Sequence, residues 1–115
     1  SKLHSMMLVE GMGGIMTPIL QDYFVANLIK DMKLPTLIVA RTKIGTINHT
    51  IMTCKMCEKY KIPIKGIVIN NFDEDGYSVE ELKRDLKNLT NVKILGIIPF
   101  IDSITSSWIY TITKV

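Results

Sequence analysis

The chain has 115 residues, 47% of them hydrophobic and 22% charged, with a net charge of +3; this is the composition of one globular domain with enough apolar mass for a core, and it excludes a disordered tail. Lys and Arg are scattered, and the densest stretch, between Glu80 and Lys87, alternates bases with acids, which reads as a solvated helix face and not as a nucleic-acid patch. No apolar run reaches the roughly 18 residues of a membrane span and no secretory leader is expected, so a cytoplasmic protein that touches neither membrane nor nucleic acid is expected.

Residues 6–9 form a short apolar run that stops at Glu10 and a glycine cluster, the pattern of a buried strand ending in a loop. From 22 to 32 the apolar residues Phe24, Val25, Leu28, Ile29 and Met32 recur at helical spacing, and Pro35 closes that helix. A β-branched run over 36–40 predicts a second strand, and the loop after it leads to Thr46, read as the N-cap of a helix reaching about Tyr60. A third strand is expected over 65–70, followed by the turn-rich segment 71–76. Ser78 stands three residues before Glu81, a capping-box spacing, and opens a helix carrying Leu82, Leu86 and Leu89. A fourth apolar run over 92–98 ends at Pro99. Alternation of near-continuous apolar strands with helices predicts an α/β fold with a parallel sheet buried on both faces. The end segment 103–115, with Trp108 and Tyr110, fits an edge strand or a disordered end.

In open α/β sheets ligands bind outside the carboxyl ends of the strands, which selects four places. The first is Glu10-Gly11-Met12-Gly13-Gly14, a carboxylate beside backbone that can approach a phosphate or a hard cation such as Mg²⁺, or else a tight turn with a solvated glutamate. The second is Lys43-Ile44-Gly45-Thr46-Ile47-Asn48-His49, a helix start whose free N–H groups suit an anion, or a glycine turn with an ordinary cap. The third and fourth are Asn70 with Asn71, where an amide can read a nucleobase edge or simply end the strand, the plainer reading being stronger for Asn71, and the turn Gly96-Ile97-Ile98-Pro99-Phe100. Cys54 and Cys57 have CxxC spacing but fall mid-helix with no second pair, so metal or redox use and a disulfide framework are not expected, in keeping with a reducing compartment. His4 lacks a partner, and Met6, Met7, Met16, Met52 and Met56 read as core filler.

Taken in order, Val9-Glu10-Gly11-Met12-Gly13-Gly14 with Thr17-Pro18, Leu34-Pro35, Lys43-Ile44-Gly45-Thr46-Ile47-Asn48-His49, Gly66-Ile67-Val68-Ile69-Asn70 and Gly96-Ile97-Ile98-Pro99 resemble the C-terminal half of the dethiobiotin synthetase family. Gly45-Thr46-Ile47-Asn48-His49 is the most specific string; Glu-Gly-x-Gly-Gly is shared with P-loop amidoligases such as cobyrinic acid a,c-diamide synthase. The resemblance covers about residues 6–101 and implies a P-loop NTPase-like three-layer α/β/α domain, present here without its N-terminal P-loop half.

That family uses ATP, Mg²⁺ and CO₂ to close the ureido ring of dethiobiotin on 7,8-diaminopelargonate, and it works as a homodimer. By position the resemblance makes Glu10 a metal ligand, assigns Asn70, Ile98, Pro99 and Phe100 to the nucleotide, and assigns Gly11, Gly13, Gly14, Thr46, Ile47 and Asn48 to substrate. It also puts Thr17 near the reacting groups. Met12 stands where the family usually has alanine, and no Gly-x-x-x-x-Gly-Lys-Ser/Thr occurs. Because phosphoryl transfer rests on that loop's electrostatics, the chain by itself is expected to be inactive, either a fragment of a longer enzyme or a remnant that binds or dimerises without catalysis.

Overall fold

A computed structural model describes residues 6–11, 13–71 and 75–100; His4, Met12 and the 103–115 segment lie outside the described residues. In chain order the elements are a short antiparallel hairpin of β1 (Pro18–Leu20) and β2 (Tyr23–Phe24), then α1 (Val25–Met32), β3 (Thr36–Arg41), α2 (Thr46–Lys59), β4 (Ile64–Asn70), α3 (Val79–Thr90) and β5 (Ile94–Ile98).

β3, β4 and β5 form a parallel sheet in that order. The register sets Ile38 beside Ile67 and Ala40 beside Ile69, with Ile94 and Ile97 next in line on β5. These side chains share one face because strand residues alternate with period two. Leu82 and Leu86 of α3 are fully buried against that face, and Ile47 and Cys54 of α2 pack onto the same cluster. Burying each such leucine or isoleucine contributes about 1.5–3 kcal/mol. Strands that advance in one direction through crossovers of the same hand place both helices on one side. The opposite face is open at its margins, with Leu37 47%, Val39 57% and Leu95 37% exposed. Burial on both faces therefore holds for the central strand, where Gly66, Ile67, Val68 and Ile69 are all buried, and not for its two neighbours.

Residues 6–9 are exposed and form no strand, contrary to the pattern their apolar character suggests. A strand needs a neighbour for its backbone N–H and C=O groups, and these residues have no ladder partner among the described residues. The helix expected from Asp22 begins at Val25 instead, because residues 18–24 are used by the hairpin, whose turn carries Asp22 in the left-handed region at φ 62°. Asn27 Oδ1 accepts the Phe24 N–H at 2.7 Å and fixes the entry to α1. Left-handed Lys33 at φ 56° ends it. Ala26, not the larger Leu28 or Met32, is the fully buried residue of α1, where it meets Cys57 and Ile62. Met6, Met7, Met16 and Met52 are exposed and Met56 half-buried, so these five methionines do not fill the core; Leu89 is likewise exposed.

Candidate functional site

The carboxyl ends of the three strands lie in one row. Arg41 is in register with Asn70, and Asn70 with Ile98. The Asn71 N–H donates to the Ile98 carbonyl at 2.8 Å, which holds the exits of β4 and β5 together. Pro99 and Phe100 follow directly and are exposed, while Asn70 is half-buried. The structure thus brings Asn70, Ile98, Pro99 and Phe100 to one edge, with an amide beside an apolar wall.

Next along that edge is the connection from β3 to α2. Thr42 is fully buried. Gly45, at φ 100°, is the N-cap of α2, and Thr46 is its first helical residue, one position later than the expected cap. The left-handed φ decides this, since glycine adopts it without strain and threonine does not. The Thr46 N–H donates to the Lys43 carbonyl at 3.1 Å, and the first helical bond runs from His49 N–H to the Gly45 carbonyl at 3.0 Å. No side chain caps α2. Among the described residues the N–H groups of Ile47 and Asn48 have no protein acceptor. Two free donors at the positive end of a helix, beside exposed Lys43, form an arrangement suited to a carboxylate or phosphate. By contrast, Ser78 Oγ accepts the Glu81 N–H at 3.2 Å and closes the start of α3. A cleft of about 330 Å³ runs from the outer side of β3 to the Thr46, His49, Thr50 and Thr53 stripe of α2.

The Glu10 loop is built differently from the other three places. With residues 6–9 outside any strand, Glu10 does not stand at a strand end. Gly13 is left-handed at φ 73°. The Gly14 N–H donates to Thr17 Oγ1 at 2.9 Å and the Thr17 N–H to the Gly14 carbonyl at 3.0 Å. The Thr17 carbonyl in turn accepts from Val25 at the start of α1, and the Ile15 carbonyl from Ala26. Thr17 therefore ties the glycine loop to α1. Glu10, Gly11, Gly13 and Gly14 are exposed. Among the described residues no three of His, Cys, Asp and Glu converge as metal ligands. A single carboxylate fits Mg²⁺, which keeps several waters and takes its remaining ligands from phosphates, and it does not match the four-ligand set of a structural zinc site.

Cys54 and Cys57 lie in the C-terminal half of α2. Both are free. Burial, and then the neighbouring Cys54, pushes the Cys57 thiol up to about 11, and burial also raises Cys54. Both thiols are held toward their neutral form, which disfavours thiolate chemistry. At the surface, the Tyr23 hydroxyl donates to Asp31 Oδ2 at 2.6 Å, and that bond holds the phenol above its usual range. Thr42, Arg41 and Gly76 were missed as parts of the site. Thr42 contributes a backbone carbonyl, which accepts the Tyr77 N–H at 2.7 Å, and no side-chain pattern advertises such a role.

A parallel sheet with its polar loops gathered at the strand exits, and a helix start bare of caps among them, defines a partial α/β domain of the P-loop NTPase-like class. Within that class the chain belongs to the family described as an AAA domain, which matches residues 1–107. It is 65% identical over 114 residues to the ATP-dependent dethiobiotin synthetase BioD of Nitrosopumilus maritimus, covering 99% of this chain and 50% of that protein. The enzyme of the same name from Bacillus subtilis strain 168 is 40% identical over 115 residues, covering 96% and 48%. That from Thermodesulfovibrio yellowstonii is 39% identical over 109 residues, covering 87% and 45%. The chain spans about half the length of the curated relatives it matches. Among the described residues no helix is long and apolar enough to cross a membrane.

Proposed function

We propose that this chain is part of an ATP- and Mg²⁺-dependent carbon–nitrogen cyclo-ligase of biotin biosynthesis, which makes dethiobiotin from 7,8-diaminopelargonate and CO₂ through a carbamate and a carbamic-phosphoric anhydride. The observation that carries the reading is the uncapped start of α2, where among the described residues the Ile47 and Asn48 N–H groups have no protein acceptor, next to exposed Lys43. A diamino acid has a carboxylate at the end of an aliphatic chain, and free helix donors are the chemistry that would hold it. The names of the relatives support the same substrate class.

In this reading Thr46, Ile47 and Asn48 take the substrate carboxylate across a homodimer interface, Gly11, Gly13 and Gly14 line the path of the diamine, and Thr17 keeps that loop in shape. Asn70 reads the adenine edge of ATP, with Ile98, Pro99 and Phe100 as the wall beside it. Glu10 gives Mg²⁺ one carboxylate; when bound, the ion offsets phosphate charge. The experiment is turnover by the whole gene product that contains this sequence, supplied with ATP, Mg²⁺, bicarbonate and 7,8-diaminopelargonate. Dethiobiotin formation, with a raised KM for the diamine in Asn48→Pro, which removes that N–H in the first turn of α2, supports the reading. A folded protein that releases no dethiobiotin sinks it.

A second reading, a non-catalytic nucleotide-binding or dimerisation remnant, is favoured by the open margin of β3, where Leu37 and Val39 are exposed. Calorimetry with ATP and Mg²⁺ distinguishes the two: binding abolished by Asn70→Ala, without any turnover, is the outcome of the remnant reading.

A further inference from the structure

Among the described residues, the loop after β4 meets the loop after β3 through a hydrogen bond from the Tyr77 N–H to the Thr42 carbonyl at 2.7 Å. Both partners are anchored. Thr42 is fully buried, the Tyr77 ring packs against the cluster containing Leu82 and Leu86, and Ser78 begins α3 immediately afterwards. The preceding residue, Gly76, lies so close to Thr42 that an added Cβ would overlap its carbonyl oxygen and stand 3.1 Å from the Lys43 nitrogen. Gly76 is not among the residues of positive φ, so left-handed backbone is not what calls for glycine there. What forbids a side chain there is the close approach of the two loops.

We infer that Gly76 is a positioning residue: by carrying no side chain it lets the β4–α3 loop rest on the Thr42 carbonyl and so sets where the bare start of α2 stands relative to Asn70. The connection can be followed atom by atom. The Thr42 carbonyl and the Lys43 nitrogen belong to one peptide, the Lys43 carbonyl accepts the Thr46 N–H at 3.1 Å, and the donors of Ile47 and Asn48 come next. With both partners packed, an added Cβ is admitted only when the two loops part, and the peptide between Thr42 and exposed Lys43 carries that displacement toward α2. A shift of about 1 Å there misaligns the donors with a bound carboxylate.

The inference rests on the proposed reading of α2 as the carboxylate site, and its test separates the two. Gly76→Ala and Gly76→Val are made in the whole gene product, and KM for the diamine, kcat and amide exchange are measured. The expected result is a KM for the diamine raised on the order of tenfold in Gly76→Ala and further in Gly76→Val. Exchange at Tyr77 should quicken while the amides of Leu82 and Leu86 keep their protection. An active wild type whose KM is unchanged in both variants overturns the positioning role and leaves the function standing. A wild type without turnover sinks the function, and exchange then decides Gly76 alone: an unaltered Tyr77 amide in Gly76→Ala overturns the contact, and a quickened one upholds it. Loss of protection at Leu82 and Leu86 as well makes Gly76 a fold residue and also overturns the inference.

Discussion

Thr17 and Gly14 hold each other twice: the Thr17 hydroxyl accepts the Gly14 N–H at 2.9 Å, and the Gly14 carbonyl accepts the Thr17 N–H at 3.0 Å. The pair closes the glycine loop onto the start of α1. Thr17→Val keeps the shape and the backbone bond but removes the hydroxyl acceptor, while Thr17→Ser retains it. Gly14 is exposed, so water replaces the lost bond and the global cost stays below about 1 kcal/mol. Faster exchange of the Gly14 amide in the valine variant, and not in the serine variant, is the expected measurement. In the active enzyme kcat/KM for the diamine falls with it.

The core prediction rests on α3. Leu86 is fully buried against the sheet whereas Leu89, three residues on, is 58% exposed. Leu86→Ala should cost about 2–5 kcal/mol and Leu89→Ala within about 0.5 kcal/mol, read as shifts of the urea midpoint at constant slope. Equal shifts in the two variants would contradict the packing described.

Ser78 tests the start of the same helix. Its hydroxyl accepts from Glu81 at 3.2 Å, a long bond, so Ser78→Ala should cost about 0.5–1 kcal/mol. Ser78→Asp should recover the loss, since a carboxylate caps equally well and complements the helix dipole. Thermal unfolding of the three proteins side by side provides the comparison.

Cys57 gives a pH dependence with a definite sign. Its thiol is raised from the ordinary value near 9 to about 11 by burial, so the folded state favours the neutral form. That contribution to stability is complete below the unfolded value and is lost as pH rises from about 9 through about 11. Tyrosines and lysines titrate in the same window, so the measurement is the difference between wild type and Cys57→Ala, whose stability should decline less steeply there. Alkylation of native Cys57 at neutral pH should be slow, and should become fast on unfolding.

The sheet and its two covering helices were legible because their signals are local. Thr36–Arg41 and Ile64–Asn70 are β-branched runs, and Ser78 with Leu82 and Leu86 announces α3 by cap and spacing. Other features depend on what a segment meets. The apolar run at 6–9 looks like a strand, but a strand is defined by its neighbour. The 18–24 hairpin begins at a proline and turns through Gln21 and Asp22, which the helical spacing of the residues beyond it concealed. Gly45 displaced Thr46 as the cap because backbone handedness outranked cap chemistry at that position. At the candidate site, Asn70 and Ile98 come into register as strand ends should. Glu10 does not reach a strand end, and Thr42 and Gly76 act through a carbonyl and through the lack of a side chain, neither of which residue type reveals.

The strand order has a kinetic meaning. β3, β4 and β5 are neighbours both in space and along the chain, so each ladder joins residues about thirty positions apart and every loop to be closed is of similar, modest length. Among the described residues no strand of this sheet waits for a later one to be threaded between it and its partner. As the polypeptide leaves the ribosome, the Ile38–Ile67 pairing becomes possible before β5 has been synthesised. β4 can therefore act as the seam on which this part of the molecule is assembled, one crossover at a time.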